Sequence, residues 1–286
     1  MKKILIIGNS HSIDAFWYLN HAFISQQPQN EYILGINYHS GCSIDKHIGF
    51  FKTDDPQVDY YKNVAGRWTI DKKTTFKTGL FDEKWDTVFL QAAKSDIDDT
   101  LNEDGRRELE KIVCDSLGYT PDFMWHTSWP SPNDMYFFSE TAPKKVPNGY
   151  RDNLIRLYGF DPVRQFTVLT DVAKAHIITD GTYKNAVCTG AAVMNAHIVQ
   201  GMPQRDIWRD YTHLNDFGQL IAAHAMYTQL TGKPIDEVKI DSIPADCRFK
   251  VFTHLGDYTV TEDMKKAIVT AANAALSDRW TVPERR

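Results

Sequence analysis

Ser10 stands in Gly8-Asn9-Ser10-His11-Ser12, directly after the apolar run Ile4-Leu5-Ile6-Ile7 and directly before a helical pattern. A hydroxyl on a tight strand-to-helix turn is exposed at the sheet edge. The backbone N–H groups of the helix start behind it suit a developing oxyanion. Alone, such a serine reads first as a helix cap. Far along the chain, Asp210-Tyr211-Thr212-His213 precedes a second helical pattern that begins near Asn215. Asp and His three apart on such a loop can lie on one side. The carboxylate then holds one imidazole nitrogen while the other faces a serine, which is the nucleophile, base and orienter logic of acyl transfer. A lone Asp-x-x-His loop is commonly structural, so the pairing of the two segments carries the weight.

The elements that must bring these segments together are legible as alternating patterns. Buried-strand runs are expected at Lys3–Ile7, Glu31–Tyr38, Trp85–Gln91, Phe123–Trp129 and Lys184–Thr189. Helices are expected from Ile13 to about Ser25, over Leu101–Leu117 closed by Gly118, over Asp161–Thr179 with Asp161 as cap, from Asn215 to about Leu230, and from Thr261 to about Leu276. Strands alternating with helices predict one α/β domain over residues 1–286, a doubly wound, mostly parallel five-stranded sheet with helices on both faces. Residues 50–84 read as an irregular insertion or a small hairpin outside that sheet. Residues 130–160, with four prolines among aromatics, read as a lid-like loop. In such folds the site lies beyond the carboxyl ends of the strands, which draws attention to the residues just after each one.

Composition narrows the class. The 286 residues carry 32 basic and 37 acidic side chains, a formal net charge of −5, with no basic stripe, so nucleic acid and anionic membrane are not expected partners. No apolar run approaches the roughly 18 residues of a membrane span. The four cysteines, Cys42, Cys114, Cys188 and Cys247, are far apart and read as reduced thiols. With the N-terminal apolar run too short for a signal peptide, the expected location is the cytoplasm, or outside it with an export signal removed. No phosphate-binding glycine loop follows a strand, so no nucleotide cofactor is expected, and His39, His47 and Asp45 lack the spacing of a metal site.

Taken together, the N-terminal Gly-x-Ser and the C-terminal Asp-x-x-His-Leu resemble the SGNH (GDSL-like) hydrolases over roughly residues 3–231. The resemblance is nearest to a bacterial branch with Gly-Asn-Ser-x-Ser at the start (Gly8–Ser12), Trp-Asp-x-Val-x-Leu-Gln in the middle (Trp85–Gln91), a Gly-x-Ala turn after the last strand (Gly190–Ala192) and Asp-x-x-His-Leu near the end (Asp210–Leu214). It implies a flavodoxin-like sheet and a cofactor-free serine esterase, with Ser10 as nucleophile, His213 as base and Asp210 as orienter. It also implies small acyl groups, acetyl esters on carbohydrate above all, with a small-molecule or saccharide ester as the partner. The oxyanion hole would use the N–H groups of Ser10 and Gly41. The family's third donor is the Asn of Gly-x-Asn-Asp, and here Leu90-Gln91-Ala92-Ala93 stands in its place, so Gln91 is the candidate. His126, Trp129 and Tyr136 are candidate substrate contacts. A thioesterase or lipase-like hydrolase with the same triad, and a sugar-binding protein that has lost activity, are the competing readings.

Overall fold

The structure, a computed structural model, describes residues 1–28, 31–92, 102–183 and 185–284. In chain order its elements are β1 (Lys2–Gly8), α1 (Ser10–Phe16), α2 (Leu19–Gln26), β2 (Tyr32–Tyr38), α3 (Ile44–Thr53), β3 (Val58–Val64), β4 (Arg67–Thr74), α4 (Phe76–Phe81), β5 (Thr87–Leu90), α5 (Glu103–Leu117) and β6 (Asp122–Thr127). There follow α6 (Tyr150–Tyr158), α7 (Pro162–Ala173), β7 (Asn185–Cys188), α8 (Thr189–Met194), α9 (Gln204–Ile207), α10 (Asp216–Thr231), β8 (Ser242–Ile243), β9 (Tyr258–Thr259) and α11 (Glu262–Ser277).

The main sheet runs β4-β3-β2-β1-β5-β6-β7. Strands β2, β1, β5, β6 and β7 are mutually parallel, in the order of a flavodoxin-like doubly wound sheet. β1 explains why these strands read as unbroken apolar runs. Ile4 and Ile6 point into one core with residues of α1, α2, α8, α10 and α11. Leu5 and Ile7 point into the other with α3, α4, α5 and Leu169 and Ala173 of α7. Both faces are covered, so no position of the strand can be polar at low cost.

The sheet has seven strands where five were expected. The two additional strands are the hairpin within residues 50–84. It does not lie outside the sheet: β3 pairs antiparallel with β2 from Ile33↔Val64 to Tyr38↔Asp59, and β4 closes the edge. Trp68 of β4 stacks on Trp17 with ring centroids 5.1 Å apart, and its indole N–H donates to the Trp17 carbonyl (3.0 Å). That capture coincides with the break between α1 and α2, where one continuous helix from Ile13 was expected. Residues 130–160 also hold more structure than a loop: a 3₁₀ turn at Met135–Phe138 and the helix α6, which buries Leu154 and Tyr158. The expected 101–117 helix begins at Glu103, and Leu101 and Ala93 lie outside the described residues.

Strand order reverses between β1 and β5, so the crevice beyond their carboxyl ends is the switch point where such folds bind ligands. Ser10 follows β1 and Gln91 follows β5.

Candidate active site

Ser10 is the first residue of α1 and is partly exposed. Asn9 caps the helix, its side-chain oxygen accepting from the His11 N–H (3.1 Å). Its Nδ2 donates to the Cys42 carbonyl (3.3 Å), tying the Ser10 turn to the turn after β2. Gly8 must be glycine: a Cβ there would stand 2.1 Å from the Ser12 hydroxyl and 2.8 Å from Gln91 Oε1. His47 of α3 is buried and its Nε2 bonds the Gly8 carbonyl (3.2 Å), and burial pushes this imidazole down to about 4. The ring is therefore neutral, with Nε2–H donating.

The second segment closes on itself. Trp208 and Leu214 form an isolated antiparallel bridge, and the Arg209 N–H donates to the His213 carbonyl (2.9 Å). Within this loop Asp210 Oδ1 accepts from the backbone N–H groups of Thr212 and His213, both at 2.9 Å. His213 Nδ1 lies 2.9 Å from Asp210 Oδ1 and 2.8 Å from Oδ2. Its Nε2 lies 2.8 Å from Ser10 Oγ. Asp210 and His213 are buried. Burial alone would push the Asp210 carboxyl up. The hydrogen bond and charge of His213 and the two backbone N–H groups outweigh it and hold the group down to about 2. A carboxylate on Nδ1 fixes the tautomer whose Nε2 can take a proton from the serine.

One further carboxylate fastens this loop to α1. Asp14, fully buried, accepts from Arg209 Nη1 (2.9 Å), from Gln219 Nε2 (2.9 Å) and from the Leu214 N–H (2.9 Å). Arg209 also donates to the Leu214 carbonyl. Residues immediately before Asp210 and after His213 are thus held by the helix that carries Ser10. Sequence reasoning passed over Asp14. The available signal was an acidic residue four positions after Ser10, one helical turn on, set between the apolar Ile13 and Ala15-Phe16.

The remaining expected residues fall out differently. Gly41 sits in the turn after β2 at φ +58°, exposed, with open space around its Cα. Its N–H has no acceptor among the described residues. The Ser10 N–H, at the first helical position, has no intrahelical acceptor either. Gln91 is buried and its carboxamide is engaged elsewhere than at an oxyanion. Oε1 accepts from the Asn9 N–H (3.2 Å) and the Ser12 hydroxyl (3.0 Å), while Nε2 donates to the Ala92 carbonyl. The backbone N–H of Asn9 fixes which end is oxygen.

His126 and Trp129 do not line a substrate pocket. His126 is 1% exposed, bonds Thr189 Oγ1 through Nε2 (2.8 Å), and burial pushes it down to about 3. Trp129 is 0% exposed and donates to the Thr212 carbonyl (3.0 Å), supporting the Asp-x-x-His loop from beneath. A place at or just past the carboxyl end of a strand did not reveal that either ring turns inward. Tyr136 is half-buried under the Arg205 guanidinium, 4.3 Å from its ring centroid. His11 turns its Nε2 to Thr212 Oγ1 (3.1 Å), its ring 5.9 Å from that of His213. His39 Nδ1 bonds the Gln57 carbonyl (2.6 Å), and among the described residues no group of three or more His, Cys, Asp or Glu side chains is arranged to hold a metal ion.

No protein-family profile matches the chain, and no curated protein does. Among solved structures, a DUF4886 family protein from Bacteroides uniformis is similar at TM-score 0.74 and 23% identity, covering 99% of this chain and 97% of that one. A mutant of Axe2, an acetyl-xylooligosaccharide esterase from Geobacillus, is similar at TM-score 0.49 and 13% identity over 80% of this chain and 94% of that one. The acetyl xylan esterase AlAXEase is similar at TM-score 0.45 and 11% identity over 79% and 98%. The likeness to the Bacteroides protein is one of fold along nearly the whole of both chains.

Proposed function

We propose that this protein is a cofactor-free serine esterase of SGNH type that hydrolyses small acyl esters, acetyl above all, on carbohydrate or similar alcohols. The observation that carries the reading is the unbroken chain from Asp210 through His213 to Ser10, with links of 2.8 Å at each end of the imidazole.

Ser10 Oγ attacks the ester carbonyl as His213 Nε2 takes its proton, and Asp210 stabilises the imidazolium. The N–H groups of Ser10 and Gly41 receive the oxyanion. Collapse breaks the ester C–O bond, and the alcohol leaves with the proton from Nε2. Water then adds to the acyl-enzyme by the same relay, releasing the acid and restoring Ser10. Asn9 and Gln91 position the turn rather than touch the oxyanion. The resemblance to the SGNH hydrolases supports the small acyl group and the saccharide alcohol.

A fluorophosphonate probe tests the chemistry. It should label wild type at Ser10 and leave Ser10→Ala unlabelled; labelling that persists in Ser10→Ala refutes the reading. Release from acetylated saccharides and from p-nitrophenyl esters of increasing chain length tests the substrate. A preference for octanoyl over acetyl esters would favour a lipase-like enzyme. No labelling of folded wild type would favour a binding protein on this fold, the reading to which the engaged Gln91 carboxamide lends some support.

A further inference from the structure

Two turns carry the N–H groups that the proposed mechanism offers to the oxyanion, and one buried side chain joins them. Ser10 opens α1 after β1, and Gly41 lies between β2 and α3. His47 stands one helical turn into α3, four residues after the cap Ser43, whose carbonyl accepts its backbone N–H (3.2 Å). The His47 imidazole is buried and packs edge-on against Phe76 of α4, centroids 5.8 Å apart. Its Nε2 meets the Gly8 carbonyl at 3.2 Å. A carbonyl only accepts, so Nε2 holds the hydrogen, and Nδ1 has no partner among the described residues. The Gly8 carbonyl already takes the His39 N–H (3.4 Å), so the backbone's own demand for a donor does not require the imidazole. An apolar side chain in its place would also avoid the cost of an unpaired buried nitrogen. What the imidazole adds is a link between α3 and the Ser10 turn.

We propose that His47 is a positioning residue for the oxyanion site, holding the Ser10 and Gly41 N–H groups at one separation by bonding α3 to the Gly8 carbonyl. The inference rests on reading Ser10, His213 and Asp210 as a triad with those two N–H groups as oxyanion donors. His47 touches no reacting atom. The parallel pairing of β1 with β2 ends at Gly8↔Tyr38, before either donor is reached. Beyond that point Gly41 has open space around its Cα, so no packing holds it, and its place follows from α3. The Ser10 N–H belongs to the peptide after Gly8–Asn9, so a tilt of that plane carries it off its aim. Asn9 Nδ2 makes a second link, to the Cys42 carbonyl (3.3 Å). Gln91, which bonds the Asn9 N–H, holds the first turn alone, whereas His47 fixes it against the helix that follows Gly41. Deleting one oxyanion donor costs about 10²–10³ in rate, and a geometry misplaced by about 1 Å on the order of 10². Loosening two donors without deleting either should therefore cost roughly 10- to 100-fold.

The test compares kcat/KM for p-nitrophenyl acetate and p-nitrophenyl thionoacetate in wild type, His47→Phe, His47→Asn and His47→Gln, with circular dichroism to show that each is folded. Sulfur accepts N–H bonds poorly, so the oxo-to-thiono ratio reads the oxyanion donors, and a general loosening of the fold would lower both rates alike. His47→Phe has no donor, and the His47→Asn amide falls short of the Gly8 carbonyl. Both should lose roughly 10- to 100-fold on the oxo ester and far less on the thiono ester. The His47→Gln amide nitrogen reaches the place of Nε2 and should bring rate and ratio back to within about fivefold of wild type. Folded His47→Phe or His47→Asn within about threefold of wild type, equal losses on the two esters, or His47→Gln no better than His47→Asn overturns the proposal and leaves the triad reading standing. Unfolding of all three variants makes His47 a residue of stability and overturns it too. Turnover of the oxo ester that survives Ser10→Ala overturns the triad reading and this one with it.

Discussion

Asp14→Ala removes the carboxylate that fastens the Asp210–His213 loop to the helix that carries Ser10. Three donors lose this acceptor at once: Arg209 Nη1, Gln219 Nε2 and the Leu214 N–H, each 2.9 Å away, and of them Arg209 and Gln219 keep the Leu214 carbonyl. Removing one side of a buried ion pair costs roughly 3–5 kcal/mol, because the other charge is left without its partner. Arg209 keeps its bond to the Leu214 carbonyl and its side chain is 15% exposed, so the low end, about 3 kcal/mol, is expected. The loss of activity should be larger than that of stability suggests. A catalytic geometry misplaced by about 1 Å can cost on the order of 10²-fold, and both ends of the Asp210–His213 loop are released together. Asp14→Asn keeps one acceptor oxygen and the shape, and should fall midway on both scales. Urea unfolding reads the stability, and the fluorophosphonate labelling rate of Ser10 reads the geometry. If folded Asp14→Ala were within about 1 kcal/mol of wild type and labelled within about threefold of its rate, the argument that Asp14 holds the site together would be wrong.

Gln91 offers a second discrimination. Gln91→Ala leaves the Asn9 N–H and the Ser12 hydroxyl without this acceptor and should cost about 1–3 kcal/mol of stability while kcat stays within about tenfold, whereas a loss of 10²–10³ in kcat would mark the amide as an oxyanion donor after all. Acid should unfold the protein early. His47, His126 and His224 are buried and pushed down by that burial to about 4, 3 and 4 from an ordinary 6.5. Their folded values lie below the unfolded one, so the unfolded state binds more protons below pH 6.5. Stability is full above that and falls as pH drops, by up to about 2 kcal/mol per histidine at pH 5. Urea midpoints at pH 7 and pH 5 that agree within error would show these rings to be reachable by water.

The parallel strands were legible because burial on both faces makes polar residues costly, and Ile4–Ile7 or Val88–Leu90 can then only be core. The hairpin was not. β4 is exposed along much of its length and carries Arg67, Asp71, Lys72 and Lys73, a composition that suits a sheet edge and a free-standing hairpin equally. Only its partner's pairing with β2 decides between them. In the same way prolines and aromatics made residues 130–160 look irregular, while Leu154 and Tyr158, four apart, are the inward stripe of α6.

The candidate site divides along a related line. Ser10, Asp210 and His213 are conspicuous because acyl transfer needs those side chains, in few arrangements, at the ends of elements. The residues that hold them are conspicuous only once the chain is folded. Asp14 becomes a clamp because Arg209 and Leu214 arrive from the far end of the sequence. Trp129 becomes a prop because its indole N–H finds the Thr212 carbonyl. Gln91 looks like an oxyanion donor from its place after β5, yet its oxygen is drawn inward by an N–H that must be satisfied in a buried turn. An unpaired backbone donor there would cost on the order of 1–3 kcal/mol in every folded molecule, bound or free. An oxyanion bond is made only in the transition state. The ground-state demand therefore fixes the Gln91 rotamer, and in the proposed mechanism the oxyanion is left to the Ser10 and Gly41 N–H groups.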